Sequence, residues 1–150
     1  MGTISDDIRQ TRFRSESQKA IINLVYTYNQ VSGQMMALLN GFGLTMQQFN
    51  ILRILKGQYP NPSTNNLVKE RMLDRNSDVT RLIDRMIKAG LVTRTSCEKD
   101  RRRVDILITQ KGLDLLKAIE PHEVAMDNLA GGLSEAELTQ LNHLLDKLRG

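Results

Sequence analysis

The sequence predicts a mainly α-helical fold with one small β-hairpin, and two observations support this prediction. Apolar residues recur every three or four positions through most of the chain, which is the periodicity of amphipathic helices. Two stretches, 91–97 and 104–109, are instead rich in β-branched residues, and the charged segment 98–103 between them is typical of a hairpin tip. A chain of 150 residues can bury one compact core, so we expect a single domain over 1–150.

The first predicted element is a long helix over 17–40, after a polar stretch that we expect to be loosely ordered. Ile21, Leu24, Val25 and Tyr28 begin its apolar series at helical spacing. Further apolar residues make the stripe wider than one packing partner requires. We therefore expect this helix to lie between several others or to face a second subunit.

The next helix is predicted over 45–57. Thr45 and Gln48 have the spacing of a capping box, in which each residue's side chain satisfies a backbone amide of the other. Leu44 and Phe49 stand at the two positions of a hydrophobic staple. Both signals fix the start of this helix.

A helix-turn-helix is predicted next. After the proline-containing turn 59–62, Ser63 is expected to cap a short helix over 63–72. A tight connection leads to an amphipathic helix over 76–89, and Gly90 follows it where a left-handed residue commonly ends a helix. The hairpin that comes after this helix makes the unit, about 44–109, a winged helix-turn-helix.

The remaining chain, 110–150, is predicted to be helical. A helix begins at Gln110, and Pro121 either kinks it, interrupts it, or begins its continuation toward Leu129. Ser134 and Glu137 form a second capping-box pattern before a last helix. The apolar stripes of 17–40 and of this helix exceed what a small winged domain covers, so we predict a helical dimerisation region built from both chain ends.

Composition excludes several classes of function. One cysteine and two histidines at no recognised metal spacing rule out a disulfide framework and a multi-cysteine zinc site, and we predict no metal and no cofactor. The motifs of nucleophilic or phosphate-binding enzymes are missing, so no catalytic residue is predicted. Since there is neither a membrane-length apolar run nor a signal-peptide core, we expect a cytoplasmic protein without membrane contact.

The positive charge is concentrated in the predicted helix-turn-helix and wing. The segment 69–103 carries eleven Lys/Arg and six Asp/Glu, whereas the other residues carry ten and eleven. The whole excess behind the net charge of +4 therefore lies on this segment. Such a distribution is the electrostatic footprint of a protein that binds double-stranded DNA.

The helix over 76–89 is the candidate recognition helix. Short polar residues near its start would let it approach base edges in a major groove. Its candidate DNA-binding residues are Asn76, Ser77, Thr80, Arg81 and Arg85. We expect at least one of Asp78 and Asp84, near the same face, to be turned away from phosphate or neutralised by an arginine. The alternative is an ordinary helix with a solvated face.

The same region resembles the MarR family of transcriptional regulators. VTRLIDRMIKAGLVTR is followed by DRRRVDILITQKG, which is similar to that family's D-x-R wing, strand and glycine. The matching residues are Asp100, Arg102, Ile106, Thr109 and Gly112. The resemblance extends over nearly the whole chain. It implies a homodimeric, ligand-responsive repressor on a pseudo-palindromic operator.

The wing tip has three consecutive arginines, more than solubility requires. By its match to the family motif, Arg102 is predicted to enter a narrow minor groove, with Arg101 and Arg103 on phosphates. Asp100 is predicted to hold the tip together. The alternative is a charged tip that only keeps the hairpin soluble and unpaired.

Two weaker candidates remain outside the recognition helix and the arginines. Ser63, Thr64 and Asn65 would direct a helix start at a DNA phosphate, although simple capping explains Ser63 equally well. Cys97 could be a redox switch, as in some members of the MarR family, but a lone cysteine is usually a small, semi-buried residue.

A candidate ligand pocket is the last expectation. Tyr26, Tyr28, Met35 and Phe49 are predicted to line it, and the family resemblance implies a small aromatic or anionic effector. Ordinary core packing is the alternative for such residues at helical spacing. For the chain as a whole, the main alternative function is a winged-helix protein-interaction module that contacts an acidic partner.

The role of Arg102 is directly testable. The exchange of Arg102 for alanine should weaken binding to duplex DNA, because the minor-groove contact is lost, and should leave thermal unfolding unchanged. A fluorescence titration with labelled duplex measures the affinity, and an unchanged value would refute the assigned role.

Overall fold

The computed structural model describes residues 2–96, 100 and 104–150, and it confirms the mainly helical prediction with a small two-stranded antiparallel sheet. The chain forms two compact units, Met1–Ala37 and Leu38–Gly150. In chain order the described elements are α1 (Ile4–Asp7), α2 (Glu16–Asn40), α3 (Met46–Gln58), α4 (Asn65–Arg71), α5 (Val79–Lys88), β1 (Val92–Ser96), β2 (Val104–Ile108), α6 (Gln110–Asp127), a 3-10 turn (Asn128–Ala130) and α7 (Glu135–Arg149).

The first unit begins with a short helix that the sequence analysis did not predict. Thr3 accepts a hydrogen bond from the amide of Asp6, and the Asp6 carboxylate accepts one from the amide of Thr3 at 2.9 Å. The hydrogen bonds that the Thr3 amide and then the Thr3 hydroxyl donate to the Asp6 carboxylate lower the pKa of Asp6 from its usual value. The side chain of Ile4 is buried. The expectation of a loose N-terminal stretch is therefore wrong at α1, because a local capping box orders it.

The second unit is built around α3, whose predicted start is confirmed. The amide of Gln48 donates to the Thr45 hydroxyl at 3.1 Å, and the Gln48 side chain accepts from the amide of Thr45 at 3.0 Å. Leu44 and Phe49 are both buried, as staple residues should be. The core around them consists of Leu39, Leu44, Phe49, Ile51, Leu52, Ile54, Leu55, Val68, Met72, Val79, Ile83, Met86, Leu91, Val92, Ile106, Ile108, Leu116 and Ile119.

The start of α4 differs from the prediction. Thr64 is its N-cap and accepts from the amide of Leu67 at 3.2 Å, so Ser63 does not cap this helix. Ser63 instead pairs with β2, because its N–H donates to the carbonyl of Ile106 at 2.8 Å and its carbonyl accepts from the Ile106 amide at 2.7 Å. Ser63 thus forms an isolated antiparallel β-bridge with Ile106 at the edge of β2.

Helix α5 begins later than predicted and ends as predicted. Asp78 is its N-cap, whereas Asn76 and Ser77 lie in the preceding turn, where the Asn76 amide donates to the side chain of Asp74 at 3.0 Å. Local side-chain bonds therefore delay the helix to Val79. After the end of α5, Gly90 has a positive φ of 74°, as its predicted left-handed role requires.

The hairpin and α6 meet at a close approach. Strands β1 and β2 lie within a residue or two of their predicted bounds, and Val92 is paired with Ile108. At Gly112, in the first turn of α6, an added Cβ would lie 2.6 Å from the carbonyl oxygen of Leu91 and 2.7 Å from a side-chain carbon of Ile108. Only a glycine permits this contact between α6 and the base of the hairpin.

The C-terminal region is helical, as predicted. Helix α6 continues through Pro121 to Asp127, so this proline does not interrupt it. The capping box of α7 is confirmed, since the amide of Ser134 donates to the Glu137 carboxylate at 2.8 Å. Among the described residues, no helix is long and apolar enough to cross a membrane.

The close approach at Gly112 generates a stability prediction. The Gly112→Ala substitution should lower the free energy of unfolding by about 1–3 kcal/mol, the usual cost of overpacking a site that cannot relax. Gly57→Ala is the matched control, because Gly57 is exposed within α3 and an added Cβ there meets nothing within 4 Å. That control should gain about 0.5–1 kcal/mol from better helix propensity. Denaturant titrations of both variants measure the difference, and equal stabilities would contradict the close approach.

Candidate nucleic-acid interface

The candidate interface is the exposed face of α5. Val79, Ile83 and Met86 are buried on the opposite side, where α5 contacts α3, α4 and β1. Because the buried residues lie on one stripe of this amphipathic helix, the polar residues on its other side face outward. The exposed positions are Thr80, Arg81, Arg85 and Lys88. The structure therefore brings together three of the predicted DNA-binding residues, Thr80, Arg81 and Arg85, with one further cation.

Both acidic residues of α5's polar face are bonded to arginines, as predicted. Oδ2 of Asp78 lies 3.3 Å from Nε of Arg81, and Asp84 accepts a hydrogen bond from Nη2 of Arg94 at 2.7 Å. The second pair also joins α5 to β1. Within the part of the chain that the structure describes, no carboxylate lies within ion-pair distance of Arg85, so its charge is available to an anion.

A surface concavity of about 420 Å³ lies beside the start of α5. The turn before α5 supplies the predicted DNA-binding residues Asn76 and Ser77, and α5 supplies Arg81 and Arg85. Asn76 is exposed, but the hydroxyl oxygen of Ser77 is buried and has no hydrogen-bond partner. The base contact predicted for Ser77 is therefore corrected, since a buried hydroxyl does not reach a base. The full lining is Thr45, Gln47, Asp74, Asn76, Ser77, Asp78, Arg81, Leu82 and Arg85.

Asn50 holds the turn between α4 and α5, a role that the sequence analysis missed. Its side-chain oxygen accepts a hydrogen bond from the amide of Leu73 at 2.9 Å, although the two residues are far apart in sequence. The only signal in the sequence was the polar side chain of Asn50 between the apolar residues Phe49 and Ile51. The structure buries both of these neighbours. The bond places the turn before α5 relative to α3.

The opposite end of α5 is bonded to the start of α6. Nζ of Lys111 donates to the carbonyl of Ala89 at 2.8 Å, and the hydroxyl of Thr109 donates to the carbonyl of Gly90 at 2.6 Å. Carbonyls just beyond a helix end lack intrahelical partners, and a cation there also interacts favourably with the helix dipole. These two bonds therefore stabilise the end of α5 and connect it to α6.

The predicted phosphate contacts at the start of α4 are only partly accessible. Ser63 has 2% of its surface exposed, so the phosphate role predicted for Ser63 is corrected along with its capping role. Its backbone pairing with Ile106 removes it from the surface. Thr64 and Asn65 are half-buried, and Thr64 already accepts from the amide of Leu67.

The tip of the wing lies largely outside the described residues. This concerns the roles predicted for Arg101, Arg102 and Arg103 and the redox hypothesis for Cys97. Asp100 is described and is exposed. The two described strands that flank the tip in sequence, β1 and β2, are antiparallel.

The four residues predicted to line a ligand pocket have different environments. Phe49 has 8% of its surface exposed and belongs to the core of the second unit, which accounts for it by packing alone. Tyr28, on α2, is 62% exposed. Tyr26 and Met35 are half-buried on the same helix, and the Tyr26 hydroxyl accepts a hydrogen bond from Gln30 at 3.3 Å. The pocket remains a prediction.

A short helix, a turn, an exposed basic helix and an antiparallel hairpin define the winged helix-turn-helix class of DNA-binding regulators. The family model described as "MarR family" matches residues 44–104 of this chain. The transcriptional regulator MgrA of Staphylococcus aureus is 34% identical over 110 residues, which cover 71% of each protein. The chain belongs to the MarR family of transcriptional regulators.

Other relatives agree over more of the chain. The regulator MhqR of Bacillus subtilis is 27% identical over 136 residues, covering 89% of this chain and 91% of MhqR. The crystal structure of AbsC, a MarR family regulator from Streptomyces coelicolor, has a TM-score of 0.81 at 27% identity and covers 93% of this chain and 96% of AbsC. These relatives are transcriptional regulators, not enzymes.

The bond from Asn50 can be tested by hydrogen exchange. In the Asn50→Ala variant the amide of Leu73 should exchange about fivefold faster, because a net stabilisation of about 1 kcal/mol for one hydrogen bond is lost. Asn66→Ala, at an exposed position of α4, is the matched control and should leave that amide unchanged. NMR-detected exchange resolves the single amide. Equal exchange rates in the two variants would show that Asn50 does not hold the turn.

Proposed function

We propose that this protein is a homodimeric repressor of transcription that binds a pseudo-palindromic DNA site through two copies of α5. The observation that carries the proposal is the exposed basic face of α5, with Arg81 and Arg85 one turn apart and the opposite stripe buried. Arginines at this spacing reach base edges and phosphates when a helix enters a major groove. Thr80 and Asn76 are the short polar residues that accompany them.

Two features support a dimer. On α7, Leu141, Leu144 and Leu148 recur at helical spacing and are 41%, 52% and 58% exposed. On α2, Val25 and Tyr28 are 55% and 62% exposed. Contiguous exposed apolar surface is typical of interaction sites. A second copy of this chain is the occupant we propose for these terminal helices.

Two-fold symmetry would determine the form of the DNA site. In a symmetric dimer, two recognition helices enter major grooves about 34 Å apart, so the half-sites are separated by about one helical turn. The structure of the MepR–DNA complex of S. aureus supports duplex DNA as the partner, because this chain is similar to MepR at 25% identity and a TM-score of 0.72, over 83% of this chain and 94% of MepR. Occupation of such a site would block transcription.

Selection from random duplex DNA tests the proposal. The enriched sequences should contain an inverted repeat with a period of about 10 base pairs, bound as two chains per site. The affinity should fall linearly with salt on a log–log scale, and Arg85→Ala should reduce the magnitude of the slope by about 0.9, the contribution of one phosphate. Lys117→Ala, an exposed residue of α6, is the charge-matched control and should leave the slope unchanged.

The same experiment distinguishes the alternative function. A protein-interaction module that meets an acidic partner would bind polyanions in a salt-dependent way but would enrich no sequence. Selection without an enriched motif would overturn the proposed function. An enriched motif without two-fold symmetry would overturn the dimeric mode of binding.

A further inference from the structure

Asp78 makes two contacts at the start of α5. Its Oδ1 accepts a hydrogen bond from the backbone amide of Arg81 at 3.2 Å, which caps the helix. Its Oδ2 lies 3.3 Å from Nε of the same arginine. One carboxylate therefore fixes both the first turn of α5 and the side chain of its first exposed cation.

The pairing determines which donors of Arg81 remain available. A guanidinium has five N–H donors in a rigid plane, and the contact with Asp78 occupies the Nε side. The Nη1–Nη2 end remains, and it presents two parallel donors. Two parallel donors are what the O6 and N7 acceptors of a guanine require in the major groove. The Arg81 side chain is 80% exposed, so this end can reach a ligand.

The charge of Asp78 also acts against phosphate. A carboxylate that is 58% exposed beside Arg81 cancels much of that residue's attraction for the DNA backbone and repels a phosphate directly. Arg85, four residues further along α5, has no such carboxylate within ion-pair distance among the described residues. The two exposed arginines of the recognition helix are thus in different electrostatic environments.

We propose that Asp78 is a specificity-determining residue, which orients Arg81 to contact a guanine and prevents it from acting as a phosphate contact. Arg85 supplies the sequence-independent attraction. This inference rests on the proposed function and assigns different roles to two residues of the same face. A guanidinium that is already oriented loses less side-chain entropy on binding. The resulting gain in affinity is obtained only where a guanine lies opposite the two oriented donors.

The test compares Asp78→Asn with the wild-type protein on three duplexes: the selected site, that site with each guanine of a half-site replaced by adenine, and a scrambled sequence. Asparagine is as good an N-cap as aspartate, so the helix start is retained and thermal unfolding should be unchanged. The ratio of specific to scrambled affinity should fall by about tenfold, within the range of discrimination of one bidentate arginine–guanine pair. The salt slope should steepen by about 0.9, because Arg81 becomes free to contact a phosphate.

Asp74→Asn is the matched control. Asp74 lines the same concavity, and its carboxylate accepts a hydrogen bond from the Asn76 amide at 3.0 Å, a bond that asparagine can also make. In the part of the chain that the structure describes, Asp74, unlike Asp78, forms no ion pair with Arg81. Removal of its charge should raise the affinities for selected and scrambled duplexes by the same factor. Only Asp78→Asn should change the preference for a guanine.

A second variant keeps the positive charge at residue 81 but removes the planar guanidinium with its two parallel donors. Arg81→Lys should abolish the preference for the same guanine, whether residue 78 is aspartate or asparagine, because lysine lacks the two parallel donors. The inference is overturned if Asp78→Asn and Asp74→Asn change the two affinities alike, or if Arg81→Lys keeps the guanine preference. A wild-type protein that enriches no sequence would instead refute the proposed function itself.

Discussion

The burial of one stripe of α5 is the constraint on which the candidate interface depends. Val79, Ile83 and Met86 are almost fully inaccessible, so a rotation of α5 about its axis would expose apolar surface and bury arginine. Either change is costly, since a charge removed from water without a partner loses its hydration. Core packing therefore determines which face of α5 is exposed, and that face carries Arg81 and Arg85.

Hydrogen bonds at both ends of α5 complete this constraint. Asp78 closes the first turn, and the side chains of Thr109 and Lys111 bind carbonyls just beyond the last one. The Asp78 bond lies within α5 and stabilises its first turn, whereas the bonds from Thr109 and Lys111 join the other end of α5 to α6 and oppose its displacement. The pair of Asp84 with Arg94 adds a lateral connection to β1. Packing and these bonds together therefore hold the basic face of α5 in place relative to β1 and α6.

The elements that the sequence predicted well are those with local signals. The capping boxes at Thr45 and Ser134 and the left-handed Gly90 involve residues only a few positions apart, and all three are confirmed. The prediction for Ser63 was wrong because its partner, Ile106, lies far along the chain in β2. No sequence pattern near Ser63 indicates that pairing. The contact of Asn50 with Leu73 was missed for the same reason. Interactions between residues close in sequence can be predicted from a single sequence. Hydrogen bonds between distant segments cannot be predicted until the fold is known.

The side chain of Thr109 connects the end of α5 to the start of α6. Its hydroxyl donates to the carbonyl of Gly90 and also accepts from the amide of Gly112, so one oxygen joins the end of α5 to the first turn of α6. The close approach at Gly112 also packs the first turn of α6 against Leu91 and Ile108 at the base of the hairpin. A displacement of the start of α6 must therefore either break these bonds or carry the end of α5 with it.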